Sequence, residues 1–294
     1  MAITARDASK LFNSNKLSAL ADGDLSYVEK IAREYLQADM DSLQLSEIFD
    51  NTLKRLSVEY RSEYYFKNTI ALRRLLGRHS LNTAAMLSEF RVGKSKADCV
   101  IINGKTTCYE IKTEYDNLNR LGEQLNDYLK LFDEVYVVCA AKNLDKVLEA
   151  TDPRVGVLEL TKKDYLSEKR AALTRTAPID IDVLIRSLRK DEYIELVRRT
   201  TGQIPDVPNS LLLKTCKSLL NSVEPTHIAT SFIEVLKEKR LNDSNLVNAL
   251  PRSLINAAIS YQFSSGQIYA LKRIFTVSKD SRCIYPTLEG SSLN

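Results

Sequence analysis

The sequence predicts an α/β protein in which a sheet core is framed by helices before and after it. Three observations carry that expectation. Short runs rich in β-branched and aromatic residues crowd between residues 87 and 160, helical 3.6-residue periodicity brackets them, and apolar strands alternate with amphipathic runs from 106 to 160. Alternation of that kind favours helical crossovers between neighbouring parallel strands.

The first fifty residues read as helices, with Val28, Ile31, Ala32, Tyr35 and Leu36 on one face and Asp24 or Ser26 as a cap. A longer helical run over 55–76 carries Leu56, Tyr60, Tyr64, Ile70, Leu75 and Leu76 and stops at Gly77. Residues 87–92, 98–103 and 106–112 follow as three antiparallel strands, with Asn103-Gly104 as the hairpin signal between the last two. The run 117–132 is amphipathic through Leu118, Leu121, Leu125, Leu129 and Phe132. Strand 135–139, a helix near 142–150 and strand 155–160 complete the core. Helical periodicity returns over 181–200, 207–222, 225–240, 243–260 and 264–276, with an irregular tail after Ser278. The expected segments are a helical 1–54, an α/β core 55–165 and an all-helical 166–294.

Composition narrows the function classes. With 27% charged and 44% hydrophobic residues, 9 Gly and 7 Pro in 294 residues, the chain is neither low-complexity nor collagen-like. No apolar run is long enough for a membrane span or a signal peptide, so a cytoplasmic protein with no membrane partner is expected. Five cysteines, three of them in strand-like runs, suggest reduced thiols. Two histidines and no Cys-x-x-Cys leave carboxylates as the main metal ligands, which points to a hard cation such as Mg²⁺ or Mn²⁺. Gly93-Lys94-Ser95 is no phosphate loop, because a strand and not a helix follows it. Charge is graded: residues 1–50 carry 5 basic and 9 acidic side chains, residues 161–294 carry 20 and 14. Residues 61–96 hold eight basic groups against Glu63 and Glu89, a balance that suits a polyanion as well as a solvated face.

The informative stretch runs from Asp98 to Lys112. Glu110 and Lys112 share a strand face, and the parity of the hairpin loop decides whether Asp98 joins them. A two-residue loop at Asn103-Gly104 sends Glu110 to the other face. A three-residue loop, Ile102-Asn103-Gly104, pairs Ile101 with Lys105 and sets Asp98 opposite Cys108, diagonal to Glu110. The odd loop is the expected one. Two carboxylates on one face suit a hydrated divalent cation that polarises phosphate, and a lysine beside them offsets transition-state charge.

Asp at a strand start and Glu-x-Lys within a strand are common on solvated faces, but further residues point the same way. Gln124 and Tyr128, four apart, lie on one flank of the following helix. Glu63, expected in mid-helix, offers a third carboxylate, with Glu59 as its competitor. Arg91, Lys94 and Lys96 precede the acidic group as phosphate-binding candidates.

The order helix with Glu63, strand with Asp98, hairpin, Glu110-Ile111-Lys112, then a Gln124-x-x-x-Tyr128 helix resembles the PD-(D/E)XK nuclease superfamily, and its RecB-like branch in the last motif. The resemblance covers about residues 58–140 and implies a restriction-endonuclease-like αβββαβ core. It implies metal ligation by Asp98, Glu110, the Ile111 carbonyl and Glu63 (direct or through water), catalysis by Lys112, and positioning by Gln124 and Tyr128. The superfamily's proline is replaced by Ala97. The string Glu-Ile-Lys-Thr-Glu-x-Asp-Asn-Leu-x-Arg-Leu at 110–121 is similar to phage-borne and bacterial mobile-element proteins, and it adds Asp116, Asn117 and Arg120 as accessories. Asn117 and Arg120 are assigned to nucleic-acid contact. The resulting expectation is a metal-dependent nuclease acting on DNA, with RNA left open, in phage or mobile-element DNA processing or defence. The alternatives are a non-catalytic nucleic-acid binder on the same fold, and an effector nuclease awaiting a protein partner on its C-terminal helices.

Overall fold

The computed structural model describes residues 3–280. The chain opens with α1 (Ala5–Ala8), α2 (Ser14–Ala21), α3 (Ser26–Lys30) running into a π-helical turn over Ile31–Leu36, and α4 (Leu45–Glu59). α5 (Glu63–Ile70) also continues as a π-helical turn, Ala71–Leu76. Then come β1 (Ala85–Val92), β2 (Ser95–Ile102), β3 (Thr106–Lys112), α6 (Leu121–Leu129), β4 (Glu134–Ala140), α7 (Leu144–Ala150), β5 (Gly156–Leu160) and β6 (Leu166–Arg170). Helices follow: α8 (Ile181–Ser187), α9 (Lys190–Thr201), α10 (Asn209–Leu220), α11 (Pro225–Lys239), α12 (Ser244–Ala249), α13 (Ile255–Ser260) and α14 (Ser265–Asp280). Among the described residues no helix is long and apolar enough to cross a membrane.

Among the described residues, one compact unit takes the chain up to Tyr60, Asn245–Leu254 and the chain from Tyr261 on. Its core is aromatic, with Phe12, Phe49 and Phe275 fully buried and Phe49 edge-on to both others at 5.9 and 5.6 Å. This grouping joins the first and last helices, which the sequence reading kept in separate segments. Periodicity reveals an apolar face but not which other face covers it.

The second unit, Arg61–Ser244 with Ile255–Ser260, holds a six-stranded sheet in the order β1-β2-β3-β4-β5-β6. β1, β2 and β3 are antiparallel, β3-β4 and β4-β5 are parallel, and β6 returns antiparallel. The expected mixed α/β sheet is present, and α6 and α7 supply the crossovers between its parallel strands. α6 packs against β2 and β4 and buries Leu121, Leu125 and Tyr128; a leucine so buried contributes about 1.5–3 kcal/mol. Residues 87, 100, 102, 108, 137 and 139 line that side of the sheet.

Four details differ from expectation. The helix read over 55–76 is broken at Tyr60, which is extended, and a new helix starts after Ser62, so Glu63 is the first residue of α5 and not in mid-helix. The helix read over 117–132 begins only at Leu121, because the Asp116 side chain accepts from the Thr113 N–H before it and that of Asn117 from the Asn119 N–H after it. The run from 166, read as all helical, opens with β6, whose mixed polar sequence hides an edge strand. The β2–β3 loop has the expected three residues but is shifted by one: Ile102 pairs with Thr106 and Ile101 with Thr107, leaving Asn103-Gly104-Lys105 as the loop. Gly104 takes the left-handed conformation there (φ 67°). Cys99, Cys108, Cys139 and Cys216 are buried free thiols, and Cys283 lies outside the described residues.

Candidate functional site

The β2–β3 register, carried one step past Cys99 and Tyr109, sets Asp98 level with Glu110. The ladder ends there, and Asp98 Oδ2 accepts the Ile111 N–H at 2.7 Å in its place. On the other side, the β1–β2 register pairs Ser88 with Cys99 and Phe90 with Ala97, so Glu89 is the residue across from Asp98. Both strands change phase at that point. Leu87 and Phe90, and likewise Ala97 and Val100, reach the same core although they are three residues apart. Glu89 absorbs the break with a left-handed backbone (φ 56°), which costs a non-glycine residue about 1–3 kcal/mol. Three carboxyl residues, Glu89, Asp98 and Glu110, thus stand in a row across three strands.

On the α6 side of the sheet, Glu110 is 2% exposed and Lys112 8%. Lys112 Nζ donates to Glu110 Oε1 at 2.8 Å and to Gln124 Oε1 at 3.1 Å, and the Tyr128 hydroxyl donates to Glu110 Oε2 at 2.9 Å. Spacing of four along α6 brings Gln124 and Tyr128 to the same pair, as their positions predicted. A sealed ion pair persists only when its remaining hydrogen-bonding capacity is met, and both Glu110 oxygens are engaged. Burial, then the Glu110 charge, pushes the Tyr128 hydroxyl well above the ordinary phenol range, so it remains a donor.

Asp98 also faces a second acidic group. Glu63, Glu89 and Asp98 each offer a carboxylate oxygen within 4.8 Å of the others. Lys67, itself buried, bridges Glu63 (2.6 Å) and Glu89, and Lys96 pairs with Glu89 at 2.7 Å. Burial, followed by the neighbouring Glu110 charge, holds the Asp98 carboxyl well above the usual carboxylate range. Burial works to lower the Lys67 ammonium, but Glu63, Cys99 and Asp98 outweigh it and raise it.

Of the predicted ligand set, the structure therefore brings Glu63 and Asp98 together, with Glu110 on the other side of Asp98 and tied to Lys112 and Tyr128. Ile111 meets Asp98 through its N–H. Glu89 and Lys67 belong to the site and were missed, having been counted only as charges of a basic stretch. The competitor Glu59 is engaged elsewhere, with Arg55 (2.7 Å) and Tyr35 (2.8 Å).

The proposed nucleic-acid contacts are all exposed. Arg91 and Lys96 are directly paired positions near the β1–β2 turn. Lys94 sits in that turn, where its N–H (3.2 Å) and the Ser95 hydroxyl (2.8 Å) donate to Asp127 on α6. Gly93 is left-handed there, and a Cβ on it would lie 3.0 Å from the Asp127 carboxylate. Asn117 and Arg120 lie in the loop after Lys112, which Asp116 closes by accepting from the Thr113 N–H and hydroxyl, each at 2.7 Å. Asn143 donates to the Thr113 carbonyl at 2.7 Å and ties that loop to the turn after β4.

A family model described as bacteriophage P4 protein cII matches residues 56–260. Protein cII of Enterobacteria phage P4 is 36% identical over 81 residues, which are 27% of this chain and 31% of that protein. The chain thus matches less than a third of that relative's length. No solved structure matches it. The likeness to phage-borne proteins read from residues 110–121 is met at the level of a phage family.

Proposed function

The chain belongs to the bacteriophage P4 protein cII family, and from that premise and the site's geometry we propose that it is a metal-dependent nuclease hydrolysing phosphodiester bonds in DNA. The single observation that carries this reading is the convergence of Asp98, Glu110 and Lys112 from two adjacent strands, with Gln124 and Tyr128 reaching the same pair from α6. A helix bearing Glu63, a three-stranded meander, α6 and the parallel β4 follow in the order αβββαβ, which supports a PD-(D/E)XK-like core. The phage origin of the named relative supports DNA of a phage or mobile element as the substrate.

The donor set fits Mg²⁺ or Mn²⁺, since Glu63, Glu89 and Asp98 present only hard oxygen atoms, close enough together to share one cation. Asp98 and Glu63 would hold it, with Glu89 beside them and Glu110 and the Ile111 carbonyl completing the set. Such a cation supplies Lewis-acid polarisation of phosphate and acidifies water. The chain's own groups do the rest. Asp98 is tied to the Ile111 N–H through Oδ2, and its carboxyl group lies within reach of Glu63 and Glu89. Lys112, aimed by Glu110 and Gln124, carries the positive charge that offsets charge on the phosphoryl oxygens in the transition state. Tyr128 holds Glu110 from behind, and Arg91, Lys94, Lys96, Asn117 and Arg120 provide exposed groups for the strand that enters.

Incubation of the native protein, Asp98→Ala and Lys112→Ala with linear, circular and single-stranded DNA in Mg²⁺ or Mn²⁺ tests the reading. Cutting by the native protein alone, with binding retained in both variants, is the expected result. Equal binding and no cutting by any of the three would replace the nuclease with a nucleic-acid binder on a nuclease-like fold.

A further inference from the structure

The loop that joins β3 to α6, residues 113–120, leaves from Lys112 and returns to it. Its last residue, Arg120, accepts the Gln124 N–H at 3.0 Å, and Gln124 Oε1 accepts from Lys112 Nζ at 3.1 Å, so both ends of the loop meet at the buried lysine. The backbone between them is pinned. Thr113 is 4% exposed; its carbonyl accepts from Asn143 at 2.7 Å and from the Asp116 N–H at 3.3 Å, and its hydroxyl accepts the Tyr115 N–H at 3.3 Å. Leu118 packs against the core from the middle of the loop.

Tyr115 stands outside this framework. It is 58% exposed, and among the described residues it is the one large apolar or aromatic residue of the loop left in water. A single exposed aromatic residue is ordinary on a protein surface. This one stands three residues after the buried site lysine, on a loop that Thr113 and Leu118 already anchor. The charges around it balance: Glu114 and Asp116 are set against Arg120 and Lys142, whose Nζ donates to the Glu114 carbonyl at 3.5 Å. The loop therefore offers an aromatic face and no surplus of positive charge. A pinned backbone presents that face at little ordering cost when a ligand arrives.

We infer, on the nuclease reading of the Lys112 site, that Tyr115 stacks on an unpaired base of a single DNA strand whose phosphate lies at that site. An aromatic ring stacks on the π-face of any base without reading its sequence. In a duplex each base face is covered by its neighbours, so the ring gains one only where the strand is unpaired.

The chain has no tryptophan, so Tyr115→Trp places its one indole at the proposed contact. In EDTA, where cleavage plays no part, the indole emission is expected to be quenched by a single-stranded oligothymidylate and to change little with a blunt duplex of the same length. Tyr269→Trp, at a residue 68% exposed in the other compact unit, is the control and is expected not to respond. Anisotropy of a dye-labelled single strand, also in EDTA, then compares the native chain with two further variants. Tyr115→Ala is expected to bind about tenfold more weakly with the salt slope of binding unchanged, and Tyr115→Phe, which keeps the ring, to bind like the native protein. The inference is overturned by equal binding of native and Tyr115→Ala, by a shallower salt slope in Tyr115→Ala, or by a loss in Tyr115→Phe as large as in Tyr115→Ala. Equal quenching by strand and duplex, a response of Tyr269→Trp as large as that of Tyr115→Trp, or no single-strand binding by the native protein overturns it too. Cleavage in Mg²⁺ beside unchanged Tyr115→Ala binding would remove the stacking contact alone. No cleavage beside the expected Tyr115 results would remove the nuclease alone and leave a single-strand binder.

Discussion

Two lysines of the sheet-bearing unit are buried against carboxylates, and they differ in what surrounds the acids. Lys112 holds Glu110, whose side chain is 2% exposed, inside a closed set with Gln124 and Tyr128. Lys67 holds Glu63 and Glu89, whose side chains are 56% and 46% exposed. The first group is sealed and its geometry is set before any ligand arrives; the second opens to water, where an ammonium can give way to another cation. Asp98 stands between them, bound to the Ile111 N–H on one side and facing Glu63 and Glu89 on the other. On the proposed function, a site that binds a hydrated ion and aims a lysine needs both kinds of surroundings.

The largest effect should come from the sealed side. Lys112→Ala leaves Glu110 buried with only the Tyr128 hydroxyl, and breaking a buried pair in this way costs about 3–5 kcal/mol. Denaturant unfolding is expected to show that loss, while the double variant Lys112→Met with Glu110→Gln, which removes both buried charges, loses less than half as much. On the proposed function, Lys112→Ala also lowers DNA cleavage by about 10²–10³-fold or more. Equal losses for Lys112→Ala and the double variant would show that the pair is not sealed. Tyr128→Phe comes next: it takes one donor from a charged acceptor, worth about 1.5–3 kcal/mol, and the same unfolding measurement reads it.

Much of the sealed side was legible in the sequence, and the open side was not. Strand alternation places Glu110 and Lys112 on one face, and helix spacing brings Gln124 and Tyr128 to them; both are local periodicities. The hairpin's odd parity was also readable, although its register lies one residue further on, because Ile102 pairs with Thr106 and so stays in the ladder. Glu89 reaches Asp98 only through a phase break with a positive φ at a non-glycine residue, which no spacing announces. Lys67 looked like one of eight basic groups because a side chain turned inward and one turned outward share the same letter. The break at Tyr60 and Ser62 that makes Glu63 a first-turn residue depends on an extended Tyr60, which the unbroken apolar periodicity of 55–76 does not announce.

The pH dependence of metal-free protein sharpens the contrast at Asp98. Its carboxyl is held above the usual range by burial and by Glu110, so the folded state binds a proton that the unfolded state has released. Stability is therefore greatest on the acid side of the ordinary carboxylate range and falls as pH rises toward the raised value, by at most about 1.4 kcal/mol per pH unit. Asp98→Asn is expected to flatten that slope in EDTA and to leave the variant more stable than the native protein at mildly alkaline pH. A native slope that survives Asp98→Asn would move the proton to another group.

The smallest effect is expected from Lys67→Met, and its small size is the point. Once Lys67 is gone, Glu63 and Glu89 are half in water and can be hydrated, and Lys96 still pairs with Glu89 at 2.7 Å. Exposed ion pairs contribute about 0–1 kcal/mol, so unfolding in EDTA should show a loss within that range, several times less than for Lys112→Ala. Mn²⁺ should then stabilise Lys67→Met more than it stabilises the native protein, because no ammonium competes for the same oxygens. If Lys67→Met instead costs as much as Lys112→Ala, and Mn²⁺ restores none of it, Lys67 is locked to its acids as firmly as Lys112 is to Glu110. The open group would then be closed to metal, and Asp98 would have only Glu110 beside it as a ligand partner.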